Sequence, residues 1–405
     1  MRVCMLAYTF YEMDSRVIRY AETLAKRGHQ VEVITLRQEG HRAYERMNGV
    51  HVYRIQTRVL DEAGLSSYVK KLLKFLCRAA WFLAKQSRRV TYDLVHVHNM
   101  PSFLVFTTLI PKLRGAKVIL DIHDLTPELY ESRFKDDKTY GSIALLKFSE
   151  KMSIAYSDFI IIANDIWRER LCESSVQSDK IITILNYPDL EIFYKRSPKR
   201  YDGKFIVIYP GTLSWHQGID VAVRAFSLLR NRLPHAEFHI YGDGHAKLQL
   251  MQLVQELDLQ DRVLFKGWVT LRELGGVVAQ ADLGVIPKRK DSFGNEAFST
   301  KILEFMAIGL PVIVSDTKID KFYFGDDTVC FFTSGNPQSL ADSIVKVHDN
   351  VTYREQLIRN ALSYIAKNNW GIKELEYLSL VERLTHKKAI AKAENWMPEA
   401  DQAGV

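Results

Sequence analysis

Long apolar runs are absent from this 405-residue chain. Nowhere do about eighteen uncharged hydrophobic residues follow one another, so no stretch is a candidate bilayer-spanning helix. Cysteine is scarce too. Cys4, Cys77, Cys172 and Cys330 are scattered and form no C-x-x-C pair, which argues against a disulfide framework or a zinc site and fits reduced thiols in a cytosolic protein. The first strand-to-helix turn, Tyr8 to Ser15, lacks G-x-G-x-x-G, which counts against a dinucleotide fingerprint. No low-complexity segment and no repeat of solenoid period occurs. The opening MRVCMLAYTF leads into a strand and then a charged helix, which is not the pattern of a signal peptide. Neither charge sign is missing: 55 basic against 48 acidic residues leave a net charge of +7. That excess suits a diphosphate or an acidic membrane surface and is too mild to demand nucleic acid. With 47% hydrophobic and 25% charged residues the composition is globular, and the length suggests two or three domains.

What is present centres on Gly294 to Asp316, GNEAFSTKILEFMAIGLPVIVSD. Ile302, Leu303, Phe305 and Met306 form an apolar stripe, Gly309 stands where a helix-ending glycine belongs, and Pro311 forbids continuation. Pro311 to Val314 then reads as a buried strand. The helix should begin near Ser299 or Thr300, whose hydroxyls can cap free backbone N–H groups. Such an amino end attracts anions, because amides and dipole point outward together. Glu296 precedes it and Glu304 lies just over one turn inside; were the chain helical throughout, the two acids would stand roughly 12 Å apart. An acid, a set of amides and a second acid suit a nucleotide sugar.

The spacing of Glu, seven residues, Glu, followed by FMAIGLPVIVSD, resembles the C-terminal signature of the family-4 retaining glycosyltransferases, which have the GT-B fold. The resemblance implies an α/β chain of two Rossmann-like domains facing across a cleft, with a last helix crossing back onto the first domain. The expected boundaries are 1–190 for an acceptor-binding domain, 191–204 for a polar linker and 205–368 for a nucleotide-sugar domain. Residues 369–386 would form the returning helix and 387–405 a polar tail.

In the first half, Arg2 to Ala7, Ser15 to Lys26 and Val31 to Leu36 read as a β-α-β unit with a parallel sheet in prospect. The D-x-R-V turn is similar to that of the family and would put Asp14 and Arg16 at the mouth of the cleft; a helix cap and a surface salt bridge account for them equally well. Asp93 to His98 and Lys117 to Asp121 are further strands, with a helix from Ser102 to Leu113 between them. Ligands in open parallel sheets bind at strand carboxyl ends, and one such end carries Asp121, His123 and Asp124, with Glu128 close behind. His96 and His98, two apart on a strand, share a face. No third ligand at metal-site spacing completes them, and the carboxylates belong to another strand, so no metal is expected. The resemblance puts His123 where the family keeps a histidine that contacts the transferred sugar, with Asp124 and Glu128 orienting it or touching the acceptor. A structural histidine is the alternative. Tyr68 to Arg89 carries bulky apolar residues and only basic charges, as an interfacial helix on anionic lipid needs; a core helix with a solvated basic face would look the same.

In the second half, the strand Phe205 to Tyr209 leads into Gly211 to Gly218. The family's turn usually reads G-R-L-x-x-x-K-G, its Arg and Lys clamping the donor diphosphate. Here those positions hold Thr212 and Gln217. Backbone amides of Gly211 and Thr212 remain, and Lys301 is the candidate replacement cation. A lysine at a helix amino end opposes the dipole, which a bound anion would relieve. Lys301 could instead snorkel to solvent, and His216 or the Lys288-Arg289-Lys290 run could supply charge. Gly242 closes the next strand, where glycine lets backbone approach a ligand. The resemblance places base recognition near Gly267 to Val269.

The expected activity is transfer of a hexose or N-acetylhexosamine, with retention, from a UDP- or GDP-linked sugar to a lipid-linked glycan in surface polysaccharide synthesis. Neither metal nor cofactor is expected, and the enzyme would sit peripherally on the cytoplasmic face of the plasma membrane. Ser299, Thr300 and Lys301 would stabilise the leaving diphosphate, Glu304 would hold the ribose and Glu296 the sugar, with His123 joining on closure. A nucleotide-sugar epimerase or hydrolase, or a scaffold that has lost catalysis, would share the same donor domain.

Overall fold

The computed structural model describes residues 1–58, 65–127, 140–195, 200 and 202–394; Glu128, part of the 191–204 segment and the end of the polar tail lie outside them. The chain falls into two units. One holds Met1–Thr126, the segment ending at Ile184 and the chain from Glu374 onward; the other holds Leu185–Lys373.

The first unit is built on β1 (Arg2–Phe10), β2 (Gln30–Arg37), β3 (Tyr44–Met47), β4 (Val50–Thr57), β5 (Leu94–His98), β6 (Lys117–Ile122), β7 (Phe159–Ile162) and β8 (Ile181–Thr183), in the order β3-β4-β2-β1-β5-β6-β7-β8. All neighbours run parallel except β3 and β4. β5 and β7 are buried along their whole length, as central parallel strands covered on both faces must be. The β3–β4 hairpin turns at Asn48 and Gly49, both at positive φ, the backbone that a two-residue turn between right-twisted strands demands. The segment Ser102–Leu113, expected as one helix, is a 3-10 helix to Thr108 and an α-helix only from Leu109. Pro111 has no N–H to give the carbonyl four residues back, so one continuous α-helix would be interrupted there.

The helix Leu65–Ser87 buries one side and exposes the other. Leu72, Phe75, Ala79 and Leu83 are buried, while Lys70, Leu73, Lys74, Arg78, Trp81 and Lys85 are exposed. No helix among the described residues is long and apolar enough to cross a membrane. The last helix, Trp370–Glu394, packs on the first unit: Tyr377 lies against Tyr20 (ring centroids 4.3 Å apart), and Arg383 stands over Phe159.

The second unit has six parallel strands, β9 (Phe205–Pro210), β10 (Ala236–Tyr241), β11 (Val263–Gly267), β12 (Leu283–Ile286), β13 (Val312–Ser315) and β14 (Cys330–Phe332), ordered β11-β10-β9-β12-β13-β14. Strand order reverses between β9 and β12, and the carboxyl edge at such a reversal is where open α/β sheets bind ligands. The helix Thr300–Ile308 lies between β12 and β13 in sequence and seats Phe305 on Gly284, where a Cβ would come within 2.4 Å of the ring. It ends at Gly309 in the left-handed conformation, as its sequence requires.

Beyond the strands, the turns continue the ladder. Gly211 N–H donates to the Tyr241 carbonyl (2.8 Å), Gly242 N–H to the Gly267 carbonyl (2.8 Å) and Leu213 N–H to the Asp243 carbonyl (2.9 Å). Gly242 sits at φ +133°, and a Cβ there would stand 2.0 Å from the Gly211 carbonyl oxygen. Its glycine is thus required for turn-on-turn packing, whether or not a ligand also approaches. Gly242→Ala should lower stability by at least about 1–3 kcal/mol of backbone strain, read as a lower urea midpoint at unchanged m. Gly335→Ala, also at positive φ but in open space, should cost less.

Candidate functional site

In the first unit the polar side chains gather where β5 and β6 end. The register sets His98 opposite Asp121, and alternation puts His96 on the same face as His98. Asp121, fully buried, accepts two hydrogen bonds from Arg16: from Nε to Oδ2 and from Nη2 to Oδ1, both 2.7 Å. Arg16 Nη1 donates to the Ile184 carbonyl at 2.7 Å. His123 Nε2 lies 3.3 Å from Asp121 Oδ2 and 3.1 Å from His98 Nδ1. His96 Nδ1 is 3.0 Å from the Tyr377 hydroxyl. Burial alone would raise the Asp121 carboxyl, but Arg16 first, then the histidines, outweigh it and hold it well below the usual carboxylate range. Burial also pushes His96 down and His98 further down, so both are held neutral.

Several expectations change here. Arg16 is only 2% exposed and is committed to Asp121, so it is neither a surface salt bridge nor an acceptor contact at a cleft mouth. Asp14 caps the helix Ser15–Lys26, accepting from the N–H groups of Arg16 (3.2 Å) and Val17 (3.1 Å). The carboxylate beside His123 is that of Asp121, whereas Asp124 offers its backbone carbonyl to Asn99 Nδ2 (2.9 Å). Glu128 lies outside the described residues. The argument that no carboxylate could join His96 and His98 also fails, because β6 lies beside β5 and brings Asp121 within 4.8 Å of both. A guanidinium grips both oxygens of that carboxylate. Asp121 was within reach of sequence reasoning, since it stands two residues before His123, the same spacing that pairs His96 with His98.

In the second unit, Ser299 occupies the N-cap position of the helix Thr300–Ile308 but does not cap it. Its hydroxyl is buried with no hydrogen-bond partner, on a residue 7% exposed. The first amides of the helix, Thr300 and Lys301 among them, have no intrahelical acceptor. The half-buried Lys301 side chain runs back across the turn after β9: a Cβ on Gly211 would meet its Cε at 2.3 Å and its Nζ at 2.9 Å. Its ammonium stands 5.5 Å from the Tyr209 ring centre and makes no hydrogen bond or ion pair among the described residues. Burial lowers its pKa, Glu304 working against that and Lys288 adding to it.

The other cations at this edge are spent. Lys288 pairs with Asp320 (3.0 Å) and donates to the Ala297 carbonyl, Arg289 pairs with Asp220 (2.6 Å), and Lys290 pairs with Asp316 (2.9 Å). The His216 ring lies within hydrogen-bond distance of Ser214 and Gln217. Gly211 N–H is likewise committed, to Tyr241, so of the two amides expected to meet the donor, Gly211 and Thr212, it is Thr212 N–H that makes no hydrogen bond among the described residues. Glu296 lies in a turn before the helix, 3.3 Å from Lys318 Nζ, so the stretch between the two acids is not helical throughout. Glu304 is half-buried, as is Val269, and Gly267 gives its carbonyl to Gly242.

Residues 191–364 match the family described as Glycosyl transferases group 1, and residues 13–192 match Glycosyltransferase Family 4. The chain belongs to glycosyltransferase family 4. An uncharacterised glycosyltransferase of Methanocaldococcus jannaschii is 25% identical over 354 residues, covering 84% of this chain and 86% of its own. Sucrose-phosphate synthase of Thermosynechococcus elongatus superposes with a TM-score of 0.79 at 18% identity, over 95% of this chain and 99% of its own. HepE of Anabaena, solved in complex with UDP-glucose, gives 0.68 at 15% identity, over 97% and 100%. Likeness at such identity establishes the fold, which is GT-B.

In this glycosyltransferase the Arg16–Asp121 pair is a testable element. Arg16→Met leaves a buried carboxylate without its cation and should cost about 3–5 kcal/mol in urea unfolding. The folded pKa of Asp121 is depressed, so the pair stabilises fully above the ordinary value of 3.8 and loses its effect as pH falls through the folded value. The gap between wild type and variant should therefore narrow below pH 3.8.

Proposed function

We propose that the enzyme transfers a hexosyl or N-acetylhexosaminyl group, with retention, from a nucleotide-diphosphate sugar to a lipid-linked glycan in surface polysaccharide synthesis. One observation carries the donor half: the unpaired Lys301 ammonium lies across the Gly211 turn, at the amino end of a helix whose N-cap hydroxyl is buried without a partner. An anion at that point would meet the Lys301 ammonium, the first helix amides, Thr212 N–H and the Ser299 hydroxyl together. The presence of UDP-glucose in HepE supports a UDP-linked donor.

Negative charge builds on the departing diphosphate as the glycosidic bond breaks. Fixed donors in a poorly solvated site stabilise that charge without reorganising, and Lys301 with the helix amides would do so without a metal. Glu304 would hold the ribose and Glu296, paired with Lys318, the sugar hydroxyls. His123 would contact the transferred sugar. The donor phosphate itself would take the acceptor proton.

A peripheral position on the cytoplasmic face of the plasma membrane accords with the exposed side of the helix Leu65–Ser87. Trp81 is 65% exposed there, with Lys85 over its ring, and Leu73 stands exposed among the lysines. Apolar side chains ringed by cations suit an interface with anionic lipid.

Saturating UDP, at a hundredfold excess over its dissociation constant, should stabilise the protein by about 2.7 kcal/mol. Lys301→Met should weaken that binding about tenfold or more, the loss of one charged hydrogen bond. Because burial lowers the Lys301 pKa below the ordinary 10.5, UDP affinity should fall on the alkaline side sooner than an exposed lysine would allow. Lys301→Arg should remove that dependence. If neither UDP nor GDP shifts the melting of the wild type, the donor reading is lost. Separately, the protein should float with anionic vesicles at low salt and release at high salt, and Trp81→Glu should weaken flotation. Wild-type protein that stays at the bottom of a low-salt gradient would exclude the membrane contact.

A further inference from the structure

Three imidazoles and one guanidinium converge on a single carboxylate in the first unit. Asp121 Oδ1 takes only Arg16 Nη2, whereas Oδ2 takes Arg16 Nε and also faces His98 Nδ1 (3.2 Å), His123 Nε2 (3.3 Å) and His96 Nε2 (3.7 Å). Three of these four contributors are fixed from behind. Arg16 is tied to the Ile184 carbonyl, His96 to the Tyr377 hydroxyl of the last helix, and the His123 backbone N–H donates to Asn99 Oδ1 at 2.9 Å. Tyr20 closes the cluster from the helix Ser15–Lys26, its ring 5.1 Å from that of His96.

An ionised carboxylate can only accept hydrogen bonds. A bare His123 Nε2 would therefore aim its lone pair at Asp121 Oδ2 from 3.3 Å, which is repulsive. His98 Nδ1, 3.2 Å from the same oxygen, must carry a proton for the same reason, and that proton is held by the charged oxygen rather than by the neutral His123 ring 3.1 Å away. With both nitrogens protonated and both N–H groups donating to Oδ2, no lone pair faces the carboxylate.

We propose that Arg16 and Asp121 form a positioning pair that fixes His123 as the Nε2–H tautomer, so that Nδ1 accepts a hydrogen bond from a hydroxyl of the transferred sugar. Asp121 supplies the acceptor that chooses the tautomer, and the aspartate of a hydrolase triad orients its histidine on the same physical basis. Arg16 holds the carboxylate with two hydrogen bonds, so the acceptor that orients the ring is itself fixed. His96, His98, Tyr20 and Tyr377 wall the pair off from water. Naming a sugar hydroxyl as the group that meets Nδ1 rests on the proposed transfer reaction; the tautomer does not.

The test is two-bond proton–nitrogen correlation NMR on full-length protein labelled with 15N-histidine, the His123 signals being assigned by their loss in His123→Ala. The wild type near neutral pH should show His123 protonated on Nε2 and bare on Nδ1. Asp121→Asn, whose amide can also donate, should yield a mixture of tautomers. It should also lower kcat by at least about tenfold with little change in KM, followed as UDP release from UDP-glucose or UDP-N-acetylglucosamine. A wild-type His123 protonated on Nδ1 overturns the proposal without any variant, so it stays falsifiable even if Asp121→Asn fails to fold. An Asp121→Asn protein with unchanged tautomer and kcat overturns it too. Full activity in His123→Ala overturns the sugar contact instead, and leaves the tautomer assignment standing.

Discussion

Both sheets are buried along their central strands, and that leaves the carboxyl edge as the place where polar side chains can collect. β5, β7, β9, β12 and β13 are buried from end to end, so a charged group on them must be paired or must stand where the strand stops. Asp121 shows how that condition is met. It lies one residue before the end of β6, fully buried, and keeps its charge because Arg16 meets it with two hydrogen bonds. Everything else at that edge is arranged around the same carboxylate: His98 opposite it, His123 beyond it, and His96 leaning on the last helix.

The same constraint acts differently in the second unit. There the edge is lined with turns, and glycines let those turns pack on one another: Gly242 against the Gly211 carbonyl, Gly244 against that of Leu213. Turns stacked this closely exhaust many of their own amides. In the proposed reading the anion would therefore be held by the helix Thr300–Ile308, whose first amides make no hydrogen bond among the described residues and whose second residue is the lysine. Lys288, Arg289 and Lys290 have the right charge but hold the surrounding loops to Asp320, Asp220 and Asp316.

Local patterns were legible in the sequence and long-range pairings were not. The stripe and stop of the helix Thr300–Ile308, the β-α-β opening and the strands carrying His96, His98 and Asp121 follow from periodicity and punctuation. The β3–β4 hairpin went unread although Met47-Asn48-Gly49-Val50 carries a recognised turn signal, because its four-residue outer strand is too short to stand out. The helix Leu271–Val278 was passed over too, although Thr270 and Glu273 form its capping box. Arg16 is another matter. It lies 105 residues from Asp121, and nothing in the D-x-R-V turn reveals that its side chain turns inward. Only the strand order, with β5 and β6 stacked outward from β1, brings the two together. Likewise, Ser299 looked like a cap by residue type, and only its burial without a partner shows a hydroxyl left over for something else.

A cation inside the helix, at Lys301, with Thr212 and Gln217 on the Gly211 turn, is more than a matter of charge. A lysine at the second helical position opposes the dipole by roughly 0.3–1 kcal/mol, and burial adds to that. A position unfavourable on both counts is hard to explain by folding alone, since Lys301 has no hydrogen bond or ion pair among the described residues to offset it. Glu304, one turn on, eases the strain from within the helix but does not form a salt bridge with it. The arrangement becomes favourable once an anion sits at the amino end, because the ammonium, the amides and the dipole then act in the same direction. It also puts the cation and the acid proposed for the ribose on one helix, three residues apart. Diphosphate and ribose would then be registered against each other by helix geometry, independent of how the Gly211 turn adjusts.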